Sequence, residues 1–186
     1  MLVFKSQFIE MYNSLKNDEI LLGNIVNIRT GKLDANAAAE NGIYPFFTCS
    51  KDVSRINSYS YDCECVLIAG NGEINAKYYN GKFDAYQRTY IITSKTKDLN
   101  VKYLYRFLLQ YLEVLQKQSV GGIIKYIRLN NLTDVKIKIP TLDVQNDFIS
   151  MLELLDKSKF EIEQALENLK KAQKSLLDEI FSSDNL

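Results

Sequence analysis

Three polar stretches of this 186-residue chain hold the side chains best suited to chemistry. The first contains Asn71, Lys77, Tyr78 and Tyr79, the second Tyr86, Gln87 and Arg88, and the third Ser119, Lys125, Tyr126 and Arg128. Lys and Arg neutralise phosphate oxygens, Arg also forks onto the O6/N7 edge of guanine, and Gln or Asn pairs with adenine through two hydrogen bonds. Turn-forming glycines stand close by, in Gly70-Asn71-Gly72, Asn80-Gly81 and Gly121-Gly122, and loops built on them let such groups reach into a groove. These ten residues (Tyr79 aside) are the candidates for contact with nucleic acid. A purely structural use competes with it, because the 12 tyrosines of a β-rich chain also serve core and cross-strand packing.

Bond-making chemistry finds no such support. Histidine is absent, which excludes Ser-His-Asp and Cys-His arrangements. There is no G-x-x-x-x-G-K-[ST] loop for a triphosphate, and Gly70-Asn71-Gly72 is a lone G-x-G that reads as a turn. The only prolines, Pro45 and Pro140, leave no [DNS]-P-P-[YF] motif for base methylation. Asp62, Glu64, Glu73 and Asp84 have no spacing that pairs them as general acid and base. Cys63-x-Cys65 could suggest zinc, but without histidine it reads as alternate strand residues. With Cys49 the cysteines are odd in number, so a full disulfide framework is impossible and a reducing cytoplasm is expected. No metal, cofactor or catalytic residue is expected in this chain. No apolar run nears the ~20 residues of a membrane span, and no secretory leader opens at Met1.

Charge separates the chain into parts. Leu21 to Leu142 carries 16 Lys and Arg against 10 Asp and Glu, net +6, whereas Asp143 to Leu186 carries 5 against 10, net −5. A basic body on an acidic helical arm suits a nucleic-acid binder that also binds protein. Glu-rich helices are common enough that charge by itself leaves the matter even.

The elements that must position the polar stretches follow from periodicity. Phe4, Phe8, Met11 and Leu15 predict a short helix in 1–17. The body, 18–142, is mixed and β-rich, with strands expected at Gly23–Arg29, Cys65–Ala69, Thr89–Thr93 and Val135–Ile139. A hairpin is expected across Tyr78–Phe83, because Asn80-Gly81 readily takes a type I′ turn. Leu104, Phe107, Leu108, Tyr111, Leu112 and Leu115 line one face of a helix over Leu99–Gln118. From 143 to 186 a seam runs Phe148, Leu152, Leu155, Lys159, Ile162, Leu166, Leu169, Gln173, Leu176, Ile180. Its unbroken four-three spacing is that of a coiled coil. A helix from Leu142 to Ile180 would measure on the order of 55 Å, against a radius of gyration of about 14 Å for the body, so it is expected to project. The fold class is therefore α+β: a β-rich body followed by a long projecting coiled-coil helix. Lys5–Ser14 also echoes Lys174–Ser183, with four of ten residues identical, as one unit of a tandem array would show.

Several segments resemble the specificity subunit of type I restriction–modification systems. Leu22–Lys32 looks like the family's opening strand and turn, and Gly42-Ile43-Tyr44-Pro45-Phe46-Phe47 resembles its G-x-x-P-F segment. Val66–Gly72 and Gly81–Thr89 look like the middle of its target-recognition domain. Ile137–Gln145 resembles its I-x-x-P-P-L-x-x-Q passage into a conserved helix, with Thr141 in place of the second proline. The resemblance implies a non-catalytic subunit that reads double-stranded DNA, half a site per recognition domain, and docks methyltransferase subunits; a motor-nuclease subunit can join them. S-adenosylmethionine would sit on the methyltransferase. With one recognition domain and one long helix, the chain is half of the usual arrangement, and a homodimer through the helix is expected. The alternatives are a coiled-coil adaptor whose body binds protein, and a nucleotide-modifying enzyme with an unfamiliar site.

Overall fold

The computed structural model describes the backbone of residues 2–121 and 124–183, and side chains for 8–121 and 124–178. Gly122 of the expected glycine turn, the seam side chain of Ile180, Phe4 of the first helix and much of the 5–14/174–183 echo lie outside the described residues. The chain divides into two compact units, Met1–Asn146 and Asp147–Leu186.

The first unit is built on a six-stranded sheet. Its strands are β2 (Val26–Thr30), β3 (Tyr44–Phe47), β4 (Ser54–Ile56), β5 (Tyr61–Ala69), β6 (Ala76–Ala85) and β7 (Thr89–Ser94), in the order β2-β7-β5-β6-β3-β4. All neighbours are antiparallel except β3 and β6. β5 is the central strand, and every residue from Cys65 to Ala69 is buried. That explains its continuous apolar run, since a strand covered on both faces has no reason to alternate. On one face Phe47, Tyr61, Cys65, Leu67, Phe83, Ala85 and Ile91 form a cluster. There Phe83 meets Phe47 edge-on at 5.5 Å and stacks on Tyr61 at 5.3 Å.

Helix α3 (Val101–Gln118) packs against β5 and β6. Asn100 caps it, its side-chain oxygen accepting from Lys102 N at 2.8 Å and Tyr103 N at 3.2 Å, which satisfies two of the amides a helix start leaves orphaned. Its expected apolar face holds: Leu104, Phe107, Leu108 and Leu115 are buried, and Tyr111 and Leu112 are half-buried. Helix α1 (Leu2–Ser14) lies against α3 through Phe8 and Tyr12, whose ring is 5.3 Å from that of Phe107. Burial pushes the Tyr12 phenol pKa up, and its oxygen accepts from Lys138 N at 2.8 Å. A second, two-stranded sheet pairs β1 (Glu19–Leu21) with β8 (Lys136–Lys138). Short helices α2 (Leu22–Ile25) and α4 (Asn130–Thr133) complete the unit.

Two expectations are corrected. The strand expected at Gly23–Arg29 begins only at Val26, because Leu22–Ile25 makes one helical turn held by Leu22 N donating to Val135 O at 2.7 Å. The Tyr78–Phe83 hairpin does not form. β6 runs straight through Asn80 and Gly81, which face Glu64 and Cys63 of β5 in an unbroken ladder from Tyr61↔Phe83 to Ile68↔Ala76. Eight paired positions outweigh a two-residue turn preference, and the reversal falls instead at Gly70–Asn75, between β5 and β6. Gly81 keeps a positive φ of 133° within the strand, so its glycine character serves the ladder.

The long helix α5 spans Leu142–Ser183, 42 residues. Its first turn carries Gln145, which is fully buried. The Gln145 amide nitrogen donates to Asp98 O and Pro140 O, both at 2.8 Å, and its oxygen accepts from Asn100 N at 2.9 Å. One side chain thereby joins the start of α5, the exit from β8 and the residue capping α3. Gln145→Met keeps the length but leaves three backbone groups unpaired, and is expected to lower unfolding free energy by about 2–4 kcal/mol in chemical denaturation. A loss under about 0.5 kcal/mol, the size of an ordinary surface change, would show that the contact carries no weight.

Candidate nucleic-acid interface

The three polar stretches are distant in sequence and meet at the end of β5. Gly70 is the meeting point: its N–H donates to Arg88 O at 2.8 Å, and its carbonyl accepts from Ile127 N at 2.9 Å. A Cβ here would run into the Arg88 carbonyl oxygen, so glycine is required by close approach of two backbones. Two residues on, Gly72 N donates to Lys125 O at 2.9 Å, and Asn71 between them bridges to Tyr126. Tyr126 and Val120 exchange both backbone bonds, at 2.8 and 2.9 Å, and close the loop after α3 around Gly121, whose φ is 123°. The Tyr90 hydroxyl donates to Ile127 O at 3.2 Å, and burial raises its pKa.

This scaffold uses backbone groups and leaves side chains outward. Gln87, Arg88, Lys125, Tyr126 and Arg128 are all exposed, and Tyr86 and Asn71 are half-exposed. Arg128 is set by its own amide, which donates to Asn131 Oδ1 at 2.7 Å. Among the described residues no carboxylate pairs with Arg88, Lys125 or Arg128. Ser119 instead turns inward, its hydroxyl donating to Gln116 O at 2.6 Å as a helix-end contact.

Lys77 and Tyr78 fall on opposite faces of β6, as the two-residue period of a strand requires. The Lys77 ammonium is half-buried and donates to Ser50 O and Asn75 Oδ1, each at 2.6 Å. Loss of water around it lowers its pKa, with Cys49 and Asp52 opposing. It adjoins the loop cluster through Cys49, whose thiol donates to Arg88 O at 3.5 Å and whose carbonyl accepts from Asn75 Nδ2 at 2.9 Å. A shallow groove of about 380 Å³ beside it is lined by Pro45, Phe47, Lys51, Tyr79 and Tyr105, among others. Tyr78 lies apart. Its ring faces Tyr105 of α3 at 6.1 Å, and its hydroxyl donates to Glu64 at 2.7 Å.

Sequence reasoning missed the Cys49–Lys51 segment. Lys51 pairs with Glu73 at 2.5 Å, and the segment links Lys77 to the Arg88 turn. No short-range signal marks it, because its partners lie 22 or more residues away. All three cysteines are free, and no group of three metal-binding side chains occurs among the described residues. No helix among them is long and apolar enough to cross a membrane.

Of the arm residues, Phe148 and Leu152 are buried and Leu155 is half-buried, while Ile162, Leu166, Leu169 and Leu176 are exposed.

Comparison with known proteins gives this arrangement a context. Residues 16–171 match the family model of the type I restriction modification DNA specificity domain. The chain is 39% identical over 160 residues to the specificity subunit of the type I restriction enzyme EcoDI of Escherichia coli, covering 84% of this chain and 36% of that protein. It is 27% identical over 145 residues to a putative type I restriction enzyme specificity subunit of Haemophilus influenzae, covering 74% of this chain and 36% of that one. The S subunit of the type I restriction–modification system of M. genitalium superposes with a TM-score of 0.68 at 16% identity, over 78% of this chain and 40% of its own. The HsdS subunit of Thermoanaerobacter tengcongensis gives 0.67 at 16% identity, over 88% and 45%. The chain thus spans between a third and a half of the length of these proteins. With a match over most of its length, and a β-rich unit followed by the long helix α5, the chain belongs to the type I restriction modification DNA specificity domain family.

Proposed function

We propose that the first unit is a target-recognition domain that reads one half-site of double-stranded DNA, and that α5 docks the methyltransferase subunits acting there. The observation that carries this reading is the convergence at Gly70 of three loops, two of which present cations, Arg88 and Lys125 with Arg128, that have no carboxylate partner among the described residues. Such groups neutralise phosphates and read base edges, and a rigid backbone scaffold beneath them fixes which position each can reach. The net charge of +6 between Leu21 and Leu142 supplies the field that draws the duplex in. Methyl transfer to adenine, from S-adenosylmethionine, belongs to the partner, and a motor-nuclease subunit joins the same assembly.

The arm supports a homodimer. Ile162, Leu166, Leu169 and Leu176 are between 51% and 68% exposed, an apolar stripe of the kind that a partner helix covers. Ser158, Ala165 and Ala172 form a small-residue row beside it, which permits close approach, and Lys159 and Gln173 interrupt it where register could be set. An antiparallel pair would carry one recognition domain at each end, and twofold symmetry then demands inverted half-sites, an interrupted palindrome.

Three measurements test the reading. Each phosphate neutralised should add about −0.9 to the slope of log affinity against log salt; a flat response, in the chain alone and with its methyltransferase, sinks the DNA reading. Alanine at Gln87, Arg88, Lys125 or Arg128 should lose about 1–3 kcal/mol on one base substitution if the side chain reads that base, or weaken all sequences alike if it holds phosphate. Unchanged binding in all four would exclude these loops. Gly70→Ala should separate the loops and lose specific binding at a stability cost of about 1–3 kcal/mol. Specific binding at wild-type strength would contradict the role given to the Gly70 junction.

The dimer is tested by light scattering at micromolar concentration. The wild-type chain should have twice the monomer mass and Leu166→Glu should return it to one, because a buried unpaired carboxylate costs more than the seam gains at that position. A wild-type monomer that Leu166→Glu leaves unchanged would reject self-assembly.

A further inference from the structure

A second group of donors without a carboxylate partner among the described residues lies on the sheet, on residues that the three loops do not include. Arg29, on the edge strand β2, lays its guanidinium over the Tyr61 ring at 4.8 Å and places Nη2 at 3.6 Å from the Cys63 sulfur. Asn27, two residues earlier on the same face, faces Thr93 of β7 in the ladder. Together with Cys63, Glu64, Ser94 and Val101 these residues line an open cleft of about 480 Å³. No carboxylate pairs with Arg29, and the side chains of Asn27 and Thr93 make no hydrogen bond among the described residues. Glu64 is the acidic residue of the lining, and it accepts the Tyr78 hydroxyl at 2.7 Å.

This combination fits an oxyanion. A guanidinium held over an aromatic ring, as Arg29 is over Tyr61, has already lost much of its rotational freedom, so less is lost when it forks onto two oxygens. The amide of Asn27 and the hydroxyl of Thr93 add neutral donors beside the charge, as phosphate sites commonly combine. The cleft is open and lies by an edge strand, so an extended polymer can cross it, and the surrounding segment is net basic.

We propose that Arg29, Asn27 and Thr93 bind a phosphodiester of the DNA backbone, a sequence-independent contact additional to the Gly70 loops. The proposal rests on the reading of this unit as a DNA binder, and commits to the polymer rather than to free phosphate.

The cysteines supply a footprint. Cys63 is half-exposed beside Arg29, Cys65 is fully buried, and half-buried Cys49 contacts the Arg88 turn. The full chain is alkylated with iodoacetamide at low salt, free or saturated with random-sequence duplex, and each cysteine is followed by peptide mass spectrometry. Bound duplex should slow alkylation of Cys63 several-fold, whereas inorganic phosphate at the same ionic strength should not. In parallel, Arg29→Ala should reduce the salt slope by about 0.9, and Arg29→Lys should restore it. Both results are required. Duplex binding with Cys63 still alkylated at the free rate, or with the Arg29→Ala slope unchanged, overturns the cleft and leaves the loop reading standing. Equal protection by inorganic phosphate overturns the assignment to DNA backbone. A complete lack of salt-dependent binding removes both readings, and the Cys63 footprint on the wild-type chain does not depend on any variant folding.

Discussion

Close approach of two backbones at Gly70 is the constraint on which the proposed recognition surface depends. β5 is buried on both faces from Cys65 to Ala69, so its direction and register there are set by packing, and the residue after it inherits that precision. Because Gly70 has no side chain, the Arg88 turn can lie directly against it on one side while Ile127 bonds it on the other. Loops are usually the least determined parts of a fold. Here three of them are referenced to the most buried strand, and that is how exposed, unpaired cations acquire defined positions.

A comparable economy holds at the other end of the unit. Gln145 is a polar side chain in a fully buried place, which is tolerable only because both its donor hydrogens and its acceptor oxygen find backbone partners. Its partners are the groups around the α3 cap and the turn at Pro140, so the start of α5 is defined by the same residues that start α3. Tyr12 and Lys138 repeat the device with α1: the phenol accepts from Lys138 N, and the Lys138 ammonium donates to Leu15 O at 2.8 Å. The first helix is thus part of the unit, contributing Phe8 to its core.

Electrostatics distinguish the cations that hold structure from those with no carboxylate partner among the described residues. Lys77 spends its ammonium on two internal acceptors, and Lys51 is paired with Glu73. On α5 the exposed i,i+4 pairs Lys159–Glu163 and Lys171–Glu167, at 3.5 and 2.7 Å, contribute only a few tenths of a kcal/mol each as exposed pairs do. Arg29, Arg88, Lys125 and Arg128 have no carboxylate partner among the described residues. A folded domain that leaves these four unneutralised retains a directional positive field, and proximity to one another or to aromatic rings lowers the cost of ordering them on an anion.

Periodicity in the sequence was enough to place α1, α3 and α5, because helical spacing over many residues reports a helix, and continuous apolar runs marked the central strand and β7; along α5 that spacing did not report burial, since Ile162, Leu166, Leu169 and Leu176 are exposed. The lack of histidine and of phosphate-binding or methylation motifs determined what chemistry to leave aside, and Ile137–Gln145 marked the passage from strand into helix. The polar stretches were legible as a set of residue types, but not as a site. Tertiary structure decided that Gly70, Arg88 and Ile127 touch, that the Tyr78 hydroxyl turns to Glu64, and that Asn80-Gly81 stays within a strand. It alone joined Arg29 to Tyr61 and Cys63. These outcomes rest on ladders and contacts between residues tens of positions apart, where a local turn preference of about a kcal/mol is overruled by eight paired positions. No window of sequence short enough to read by spacing contains both partners.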